Sequence, residues 1–240
     1  MKNILKKIIP SIASSAILLS NNPFARAGDF TPSKFEVTFY EIGLVNVNDI
    51  SNRFKVFEST DGQTVDVAAS GTNKLLNTNV QPKAGTWTHV YMVMNNEINV
   101  SGNDGSCYIT SGSSTTLDTD FSDVTSTNSS NAGTANIKWM QFGGNGAGPA
   151  DPNVATVVNG RAATDVEIYL TNSSDLLTAT LTDPNRMVFY GTITEFTTLA
   201  DNAGGEIEMS FGLTNSMSMN SACSTVNYES ASYGLSVLEY

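Results

Sequence analysis

Apolar and polar residues alternate with a period of two near the start of the chain, and this alternation limits the fold more than any other feature. Phe35, Val37 and Phe39 hold the apolar positions first, and Tyr40, Ile42 and Leu44 hold them afterwards, so the parity changes within the segment. Alternation of this kind is typical of a β-strand with one buried face. A change of parity inside one strand predicts a β-bulge, or a strand that passes from one sheet to another.

Similar segments recur along the chain, and after residue 27 no apolar stripe with helical spacing lasts for three turns. The pattern predicts further strands at residues 53–58, 64–68, 86–100, 137–142, 166–170, 177–181, 187–196, 206–213 and 233–237. Asp61-Gly62 is expected to form a turn between the first two of these. Both faces of residues 86–100 are apolar, which predicts a central strand that is covered on both sides. About ten short strands joined by turns predict an all-β fold, as a β-sandwich or jelly roll with long irregular loops, or a barrel.

The first 27 residues have the composition of a cleavable export signal. A basic start is followed by an apolar run at residues 8–19, and Ala25 and Ala27 then form the small-x-small pattern that precedes cleavage before Gly28. An apolar run of about a dozen residues is shorter than the ~20 that a membrane-spanning helix needs. We therefore expect residues 1–27 to be removed on export, and we expect no membrane span in the remainder.

The net charge excludes nucleic acids as partners, and the small number of histidines and cysteines argues against a zinc site. The chain of 240 residues has 12 Lys and Arg against 23 Asp and Glu, a net charge of -11. Removal of residues 1–27 takes away four basic and no acidic residues, which leaves 8 against 23 and a charge of -15. Nucleic acids bind basic surfaces, so we exclude them as partners. One histidine and two cysteines do not suffice for the usual zinc site, and we expect no cofactor.

Cys107 and Cys223 are the two cysteines of the chain, and both stand among Ser, Asn and Gly residues. An even number of cysteines in an exported protein predicts a disulfide. On the chain-entropy model, closing such a long loop stabilises the fold by about 4–5 kcal/mol. A pair of free thiols is the alternative.

Two stretches interrupt the strand pattern. Residues 110–135 are rich in Ser, Thr and Asn and are expected to form a long solvated insertion or linker. They could divide the chain into two subdomains, but we expect a single elaborated domain over residues 28–240. Residues 143–148 are rich in glycine, yet they lack the lysine and the following helix of a phosphate-binding loop, so we interpret them as a surface loop.

Asp118, Asp120 and Asp123 lie within the first of these stretches and could offer oxygen ligands to calcium. A dedicated calcium loop needs more carboxylates, a glycine turn and a distal glutamate. A solvated acidic loop is therefore the favoured interpretation. Asp104, which stands between Asn and Gly, is expected to lie in a hairpin turn.

Aromatic residues and the single histidine are the remaining candidates for a site. An exposed row of Trp87, Tyr91 and Trp139 could stack on sugar rings, but aromatics on covered strands usually pack inward, so a place in the core is favoured. His89 shares a strand with two of them and is expected to be a packed strand residue. A catalytic role would need a base or nucleophile beside it, which sequence spacing does not reveal.

One segment resembles a known family. The sequence VQPKAGTWTHV at residues 80–90 looks like the L-x-P-A-G-T-Y-T turn and strand of bacterial secreted, transthyretin-like β-sandwich domains, some of unassigned function. Residues 65–68 and 75–76 stand where those domains carry a V-D-L…L-L stretch. The resemblance covers about residues 33–100, with Trp87 in place of the tyrosine and one inserted lysine. It implies a sandwich and a surface or periplasmic setting, and it carries no catalytic residues.

These features favour an exported, non-enzymatic structural or adhesive protein of the cell surface or extracellular space, with the periplasm as the alternative location. Residues 35–44 could add as a strand to the sheet of a neighbour in a filament, as could residues 233–240. The alternative is that each is an ordinary edge strand of its own sheet.

Two other classes stay open at this point. One is a small outer-membrane β-barrel, which the alternating strands and the aromatic Tyr240 would suit. The other is a secreted carbohydrate-binding module or hydrolase. An exposed aromatic platform, or two carboxylates in one cleft, would indicate that class.

Overall fold

A computed structural model describes residues 15–17, 28–46, 48–68, 83–116, 120–139, 166–172, 185–198, 205–228 and 232–239. These residues form seventeen β-strands and one short 3-10 helix, at Ser129–Asn131, and no α-helix. The strands are β1 (Ser15–Ile17), β2 (Asp29–Phe30), β3 (Lys34–Asn46), β4 (Asp49–Asp66), β5 (Gly85–Asn95), β6 (Glu97–Ser101), β7 (Tyr108–Ile109), β8 (Gly112–Thr116), β9 (Asp120–Ser122), β10 (Thr125–Ser126), β11 (Ala135–Trp139), β12 (Val166–Thr171), β13 (Arg186–Thr198), β14 (Gly205–Gly212), β15 (Met217–Met219), β16 (Thr225–Tyr228) and β17 (Ser232–Glu239). The predicted all-β class is confirmed.

The main sheet has eight strands and is built around β3. Its order is β12-β13-β5-β3-β6-β11-β8, with β4 added beside β3. One edge of β3 pairs with β4, and the other pairs with β5 and, at its start, with β6. Two smaller sheets have the orders β2-β15-β16-β9 and β1-β17-β14, and β7 pairs with β10.

Both smaller sheets pack against the main sheet through aromatic side chains. The ring of Trp139 on β11 lies 5.1 Å from that of Phe121 on β9 and 5.8 Å from that of Tyr228 on β16. The rings of Phe39 on β3 and Phe211 on β14 lie 5.9 Å apart. Sheets that share one apolar layer in this way form a sandwich, which is the predicted architecture.

The change of parity in β3 is a β-bulge, as one of the two sequence interpretations predicted. The register of β3 against both β4 and β5 shifts between Phe39 and Glu41, passing over Tyr40. The guanidinium carbon of Arg186 lies 3.9 Å from the centre of the Tyr40 ring. Because of the shift, the apolar residues on both sides of the bulge contribute to one core, namely Phe35, Val37, Phe39, Ile42 and Leu44.

The two short strands predicted around Asp61-Gly62 are parts of one long strand, β4. The prediction that a turn separates them is therefore wrong. The register of β4 against β3 skips residues 59–62, and pairing resumes on both sides of them. Gly62 has a φ of 79°, which glycine adopts without the strain that a side chain would bring. The dipeptide lies in a four-residue bulge instead of a turn between two strands, because β3 pairs with β4 both before and after it.

The predicted strand at residues 86–100 is central, but it is divided at Asn96 into β5, which is buried on both faces, and β6, in which buried and half-buried residues alternate. The side chain of this buried residue donates a hydrogen bond to the carbonyl of Trp139, and its backbone N–H donates to the carbonyl of Asn185 at 3.0 Å. Asn96, which lies between β5 and β6, therefore also links these strands to β11 and to the residue just before β13. The predicted strand at residues 177–181 lies outside the described residues.

The description of residues 110–135 as a solvated insertion is wrong. Three strands, β8, β9 and β10, and the 3-10 helix lie in this stretch. Phe121 and Val124 are fully buried and belong to the same core as the main sheet. Phe121 and Val124 are three positions apart and stand among many Ser, Thr and Asn residues, so they do not produce an alternating pattern, and this is why the sequence did not predict these strands.

Gly43 of β3 is closely packed by neighbouring strands. A Cβ atom at this position would lie 2.7 Å from both Cε1 and the hydroxyl oxygen of Tyr91, and it would also meet the carbonyl oxygen of Phe54. We therefore expect Gly43→Ala to lower the free energy of unfolding by about 1–3 kcal/mol, because packed neighbours must shift. Urea unfolding followed by tryptophan fluorescence measures this effect. An unchanged unfolding midpoint would contradict the close packing of Tyr91 on Gly43.

Candidate functional site

A group of charged and phenolic side chains crosses four strands of the main sheet, and the sequence did not predict it. We call it the Tyr91 cluster; its members are Glu41, Arg53, Lys55, Glu58, Tyr91 and Tyr190. They belong to β3, β4, β5 and β13. Ile42 lies in the apolar core, and successive strand residues face opposite ways, so the bulge turns Glu41 away from that core.

Lys55 links the two carboxylates of the cluster. Its Nζ lies 2.9 Å from Oε2 of Glu41 and 2.7 Å from Oε1 of Glu58. The Glu58 and Lys55 side chains are 61% and 47% exposed, whereas that of Glu41 is 15% exposed. Tyr91 is fully buried, and its hydroxyl donates to Oε1 of Glu41. The cluster therefore runs from the surface of the sheet into its interior.

Arg53 completes the cluster on the inner side. Its guanidinium carbon lies 5.1 Å from the centre of the Tyr91 ring, within the range of a cation–π contact. Its Nη2 donates to the hydroxyl of Tyr190 at 3.3 Å, and the two tyrosine rings lie 6.3 Å apart. Tyr91 thus lies between a carboxylate and a guanidinium group.

The surroundings keep both donors to Glu41, Tyr91 and Lys55, protonated. Burial raises the pKa of Tyr91 well above its ordinary value, and the hydrogen bond to Glu41 adds to this effect. Hydrogen bonds to Glu58 and then Glu41 raise the pKa of Lys55. A protonated phenol and an ammonium group act as hydrogen-bond donors, and Glu41 accepts from both. The arrangement fits a polar contact that holds strands together.

The two carboxylates bear on the hydrolase alternative. Paired-carboxylate hydrolysis needs one carboxyl group to donate a proton while the other acts as a base or nucleophile. Glu41 and Glu58 lie opposite each other in register, but a single ammonium group binds both of them. The cluster therefore resembles an ion-pair network more than an acid and base pair.

The three aromatic candidates do not form an exposed row. Trp87 and Tyr91 are 0% exposed and Trp139 is 3% exposed. Trp87 packs against Phe54 with ring centres 5.8 Å apart, and the sheet that contains β9 and β16 covers Trp139. The alternative that these residues stack on sugar rings is therefore wrong, because both faces of β5 and the inner face of β11 are covered. The core interpretation is confirmed.

His89 lies in β5 opposite Val45 of β3 and is 7% exposed. Its Nδ1 lies 2.9 Å from the hydroxyl oxygen of Thr88. It is a packed strand residue, as expected.

The acidic trio is only partly described. Asp120 begins β9 and Asp123 follows that strand with a φ of 66°, and both are exposed, whereas Asp118 lies outside the described residues. Within the described ranges, no group of three or more His, Cys, Asp or Glu residues is placed to hold a metal ion. The calcium hypothesis for the complete trio stays untested.

The two segments predicted as strand donors are both paired within the chain. Residues 35–44 lie in β3, which has β4 on one edge and β5 with β6 on the other. They are neither a free donor nor an edge strand, so both interpretations are wrong for this segment. Residues 232–239 form β17, which pairs with β14 and with β1.

Residues 15–17 are the described part of the predicted export signal, and they form β1 beside β17. Ala25 and Ala27 lie outside the described residues. Gly28 is described, and its carbonyl accepts a hydrogen bond from Met219 N–H at 3.0 Å. The described residues contain no helix that is long and apolar enough to cross a membrane.

The predicted disulfide is present. Cys107 and Cys223 are bonded, with their Cα atoms 5.3 Å apart. Asp104 forms the expected turn before Cys107, and its carboxylate accepts hydrogen bonds from the N–H groups of Ser106 at 2.8 Å and Cys107 at 2.7 Å. On the other side, the hydroxyl of Thr125 donates to the carbonyl of Cys223 at 2.7 Å. The bond ties the turn after β6 to the turn between β15 and β16.

No protein-family model, curated protein or solved structure matches this chain. The resemblance to transthyretin-like domains therefore stays a prediction. Of the segment that carries it, residues 80–82 lie outside the described residues, and residues 85–90 form the start of β5.

Removing the disulfide is expected to destabilise the fold. Cys107→Ser with Cys223→Ser should lower the free energy of unfolding by about 2–5 kcal/mol, because the unfolded chain gains freedom. Urea unfolding with and without dithiothreitol measures this effect. The reductant should destabilise the parent protein and leave the double variant unchanged. Two titratable thiols in the denatured, unreduced parent would contradict the bond.

Tyr91→Phe is expected to remove part of the alkaline sensitivity of the protein. The folded-state pKa of Tyr91 is raised, so its contribution is complete below the unfolded pKa of about 10 and is lost as the pH rises further. The variant should lose about 1–2 kcal/mol at pH 8, because Glu41 loses a donor. Its stability should then fall less steeply above about pH 10 than that of the parent.

Urea unfolding at pH 8 and at about pH 11 tests this expectation. Tyr108→Phe is the matched control, since Tyr108 is partly exposed and lies on β7 outside the cluster. If the free energy of unfolding falls equally steeply with pH in Tyr91→Phe and in the parent, the expected role of Tyr91 is contradicted.

Proposed function

We propose that this protein is an exported, non-enzymatic structural or adhesive protein of the cell surface or extracellular space, with the periplasm as the alternative location. The observation that carries the proposal is the bond between Cys107 and Cys223, because disulfides persist in oxidising compartments and are rare in the cytosol. The signal-like composition of residues 1–27 supports the same location.

The exposed surface supports a role that does not depend on catalysis. β8 is an edge strand of the main sheet with the sequence GSSTT, and the 3-10 helix that follows the next two strands has the sequence SSN and is exposed. A charge of -15 after loss of residues 1–27 opposes non-specific aggregation through repulsion. Such a surface suits an environment in which the protein must stay hydrated outside the cell. The polar side chains of the Tyr91 cluster bind one another, which is what a structural role requires.

Self-assembly, in this proposal, uses a sheet edge other than residues 35–44. Those residues form the centre of the main sheet, and their removal would separate β4 from β5. A filament that assembles by donating this segment is therefore no longer part of the proposed function.

Export and processing are tested on the full chain expressed in a bacterium with an intact secretion pathway. We expect the intact mass of the purified protein to correspond to a start at Gly28 and to lack two hydrogen atoms, as one disulfide requires. Ala27→Gln is the matched control, since it removes the small residue at the cleavage position and keeps the basic and apolar parts of the signal. Retention of Met1 in the parent would contradict the proposed export.

A further inference from the structure

One edge of β17 is covered by the predicted export signal. β17 lies between β14 and β1 in its sheet. β14 pairs with it along the full length of both strands, from Gly205 opposite Glu239 to Gly212 opposite Ser232. On the other edge, residues 15–17 pair antiparallel with residues 233–235, and Ala16 lies opposite Gly234. Cleavage after residue 27 would remove this cover.

We propose that, once residues 1–27 are removed, the uncovered edge of β17 pairs antiparallel with the same edge of a second copy about Gly234, so that the exported protein is a twofold dimer. This inference rests on the proposed export. The occupant is a second copy of this chain, and the contact is backbone pairing of the kind by which an extended segment adds to an open sheet edge.

The register of β1 supports an antiparallel occupant at this position. It places an antiparallel strand on β17 with its centre at Gly234. A twofold axis at the same point places Gly234 opposite its own copy, Tyr233 opposite the second copy's Leu235, and Ser232 opposite the second copy's Ser236. An interface about a twofold axis must be self-complementary, and this register pairs apolar with apolar and small with small residues.

The sequence of β17 also favours pairing with itself. Residues 232–238, SYGLSVL, contain no charged residue and no proline. Natural sheet edges are usually protected from association by lysine, proline or a short strand, and β17 has eight residues. By contrast, the edge strand β8 has five residues, all of them Gly, Ser or Thr. Between residues 232 and 236, no like charges oppose each other across the twofold axis, despite the acidity of the whole chain.

The test uses the full chain, exported and processed by the cell. Intact mass first establishes that the chain starts at Gly28, and light scattering during size-exclusion chromatography then gives the molar mass. We expect twice the mass of one processed chain.

Two matched double variants test the register. Ser232→Lys with Ser236→Lys places lysines opposite each other at two points of the interface, and Ser232→Glu with Ser236→Lys places opposite charges there. Both variants place a lysine at position 236, opposite Glu208 of β14, so the pairing of β17 with β14 at this position is the same in both. We expect the first variant to raise the dimer Kd about tenfold or more and the second to leave it within about threefold of the parent.

Several results would overturn the inference. A processed chain that stays monomeric at about 0.1 mM would overturn it and leave the proposed export intact. Oligomers larger than a dimer would indicate a head-to-tail occupant and overturn the twofold arrangement. A dimer that is equally sensitive or insensitive to both variants, with circular dichroism showing that both are folded, would exclude this register. A retained Met1 would overturn both this inference and the proposed export.

Discussion

Backbone pairing along both edges of β3 supports the rest of the structure. β4 follows β3 directly in the chain and occupies one edge, while β5 and β6 come later and occupy the other. The bulge at Tyr40 makes this arrangement compatible with one apolar core, because it restores the inward direction of the apolar residues after the parity changes. The same shift directs Glu41 to the opposite side of the sheet. The sandwich core and the Tyr91 cluster thus depend on one irregularity in one strand.

The Tyr91 cluster and the disulfide stabilise different parts of the protein by different physical means. Within the cluster, a buried phenol would be costly without a partner, and Glu41, which also binds Lys55, accepts its hydrogen bond. The bond between Cys107 and Cys223 acts on the unfolded chain instead, by closing a loop of 116 residues. Both features stabilise the fold, and this agrees with the proposed structural role.

Local patterns predicted much of the fold. Alternation located β3, β5 and the strands from β12 to β14, and the change of parity predicted the bulge in β3. The strands in residues 110–135 were missed, because the buried Phe121 and Val124 do not alternate with a period of two and most of the surrounding residues are Ser, Thr and Asn, which are common in loops. The continuity of β4 was missed for another reason. Asp61-Gly62 has the chemistry of a turn, and only pairing with β3 on both sides keeps it within a strand.

The sequence by itself determined the all-β class, an irregularity within residues 35–44, and which two cysteines could pair. The first two follow from a period of two that is set by the geometry of an extended backbone, and two cysteines allow a single internal pairing. Only the tertiary structure decided that β3 is central and that Trp87 is buried. It alone brought Glu41 to Tyr91, which lies 50 residues away. Such contacts depend on which strands become neighbours and in what register, and this is settled by packing between distant segments, which no local pattern contains.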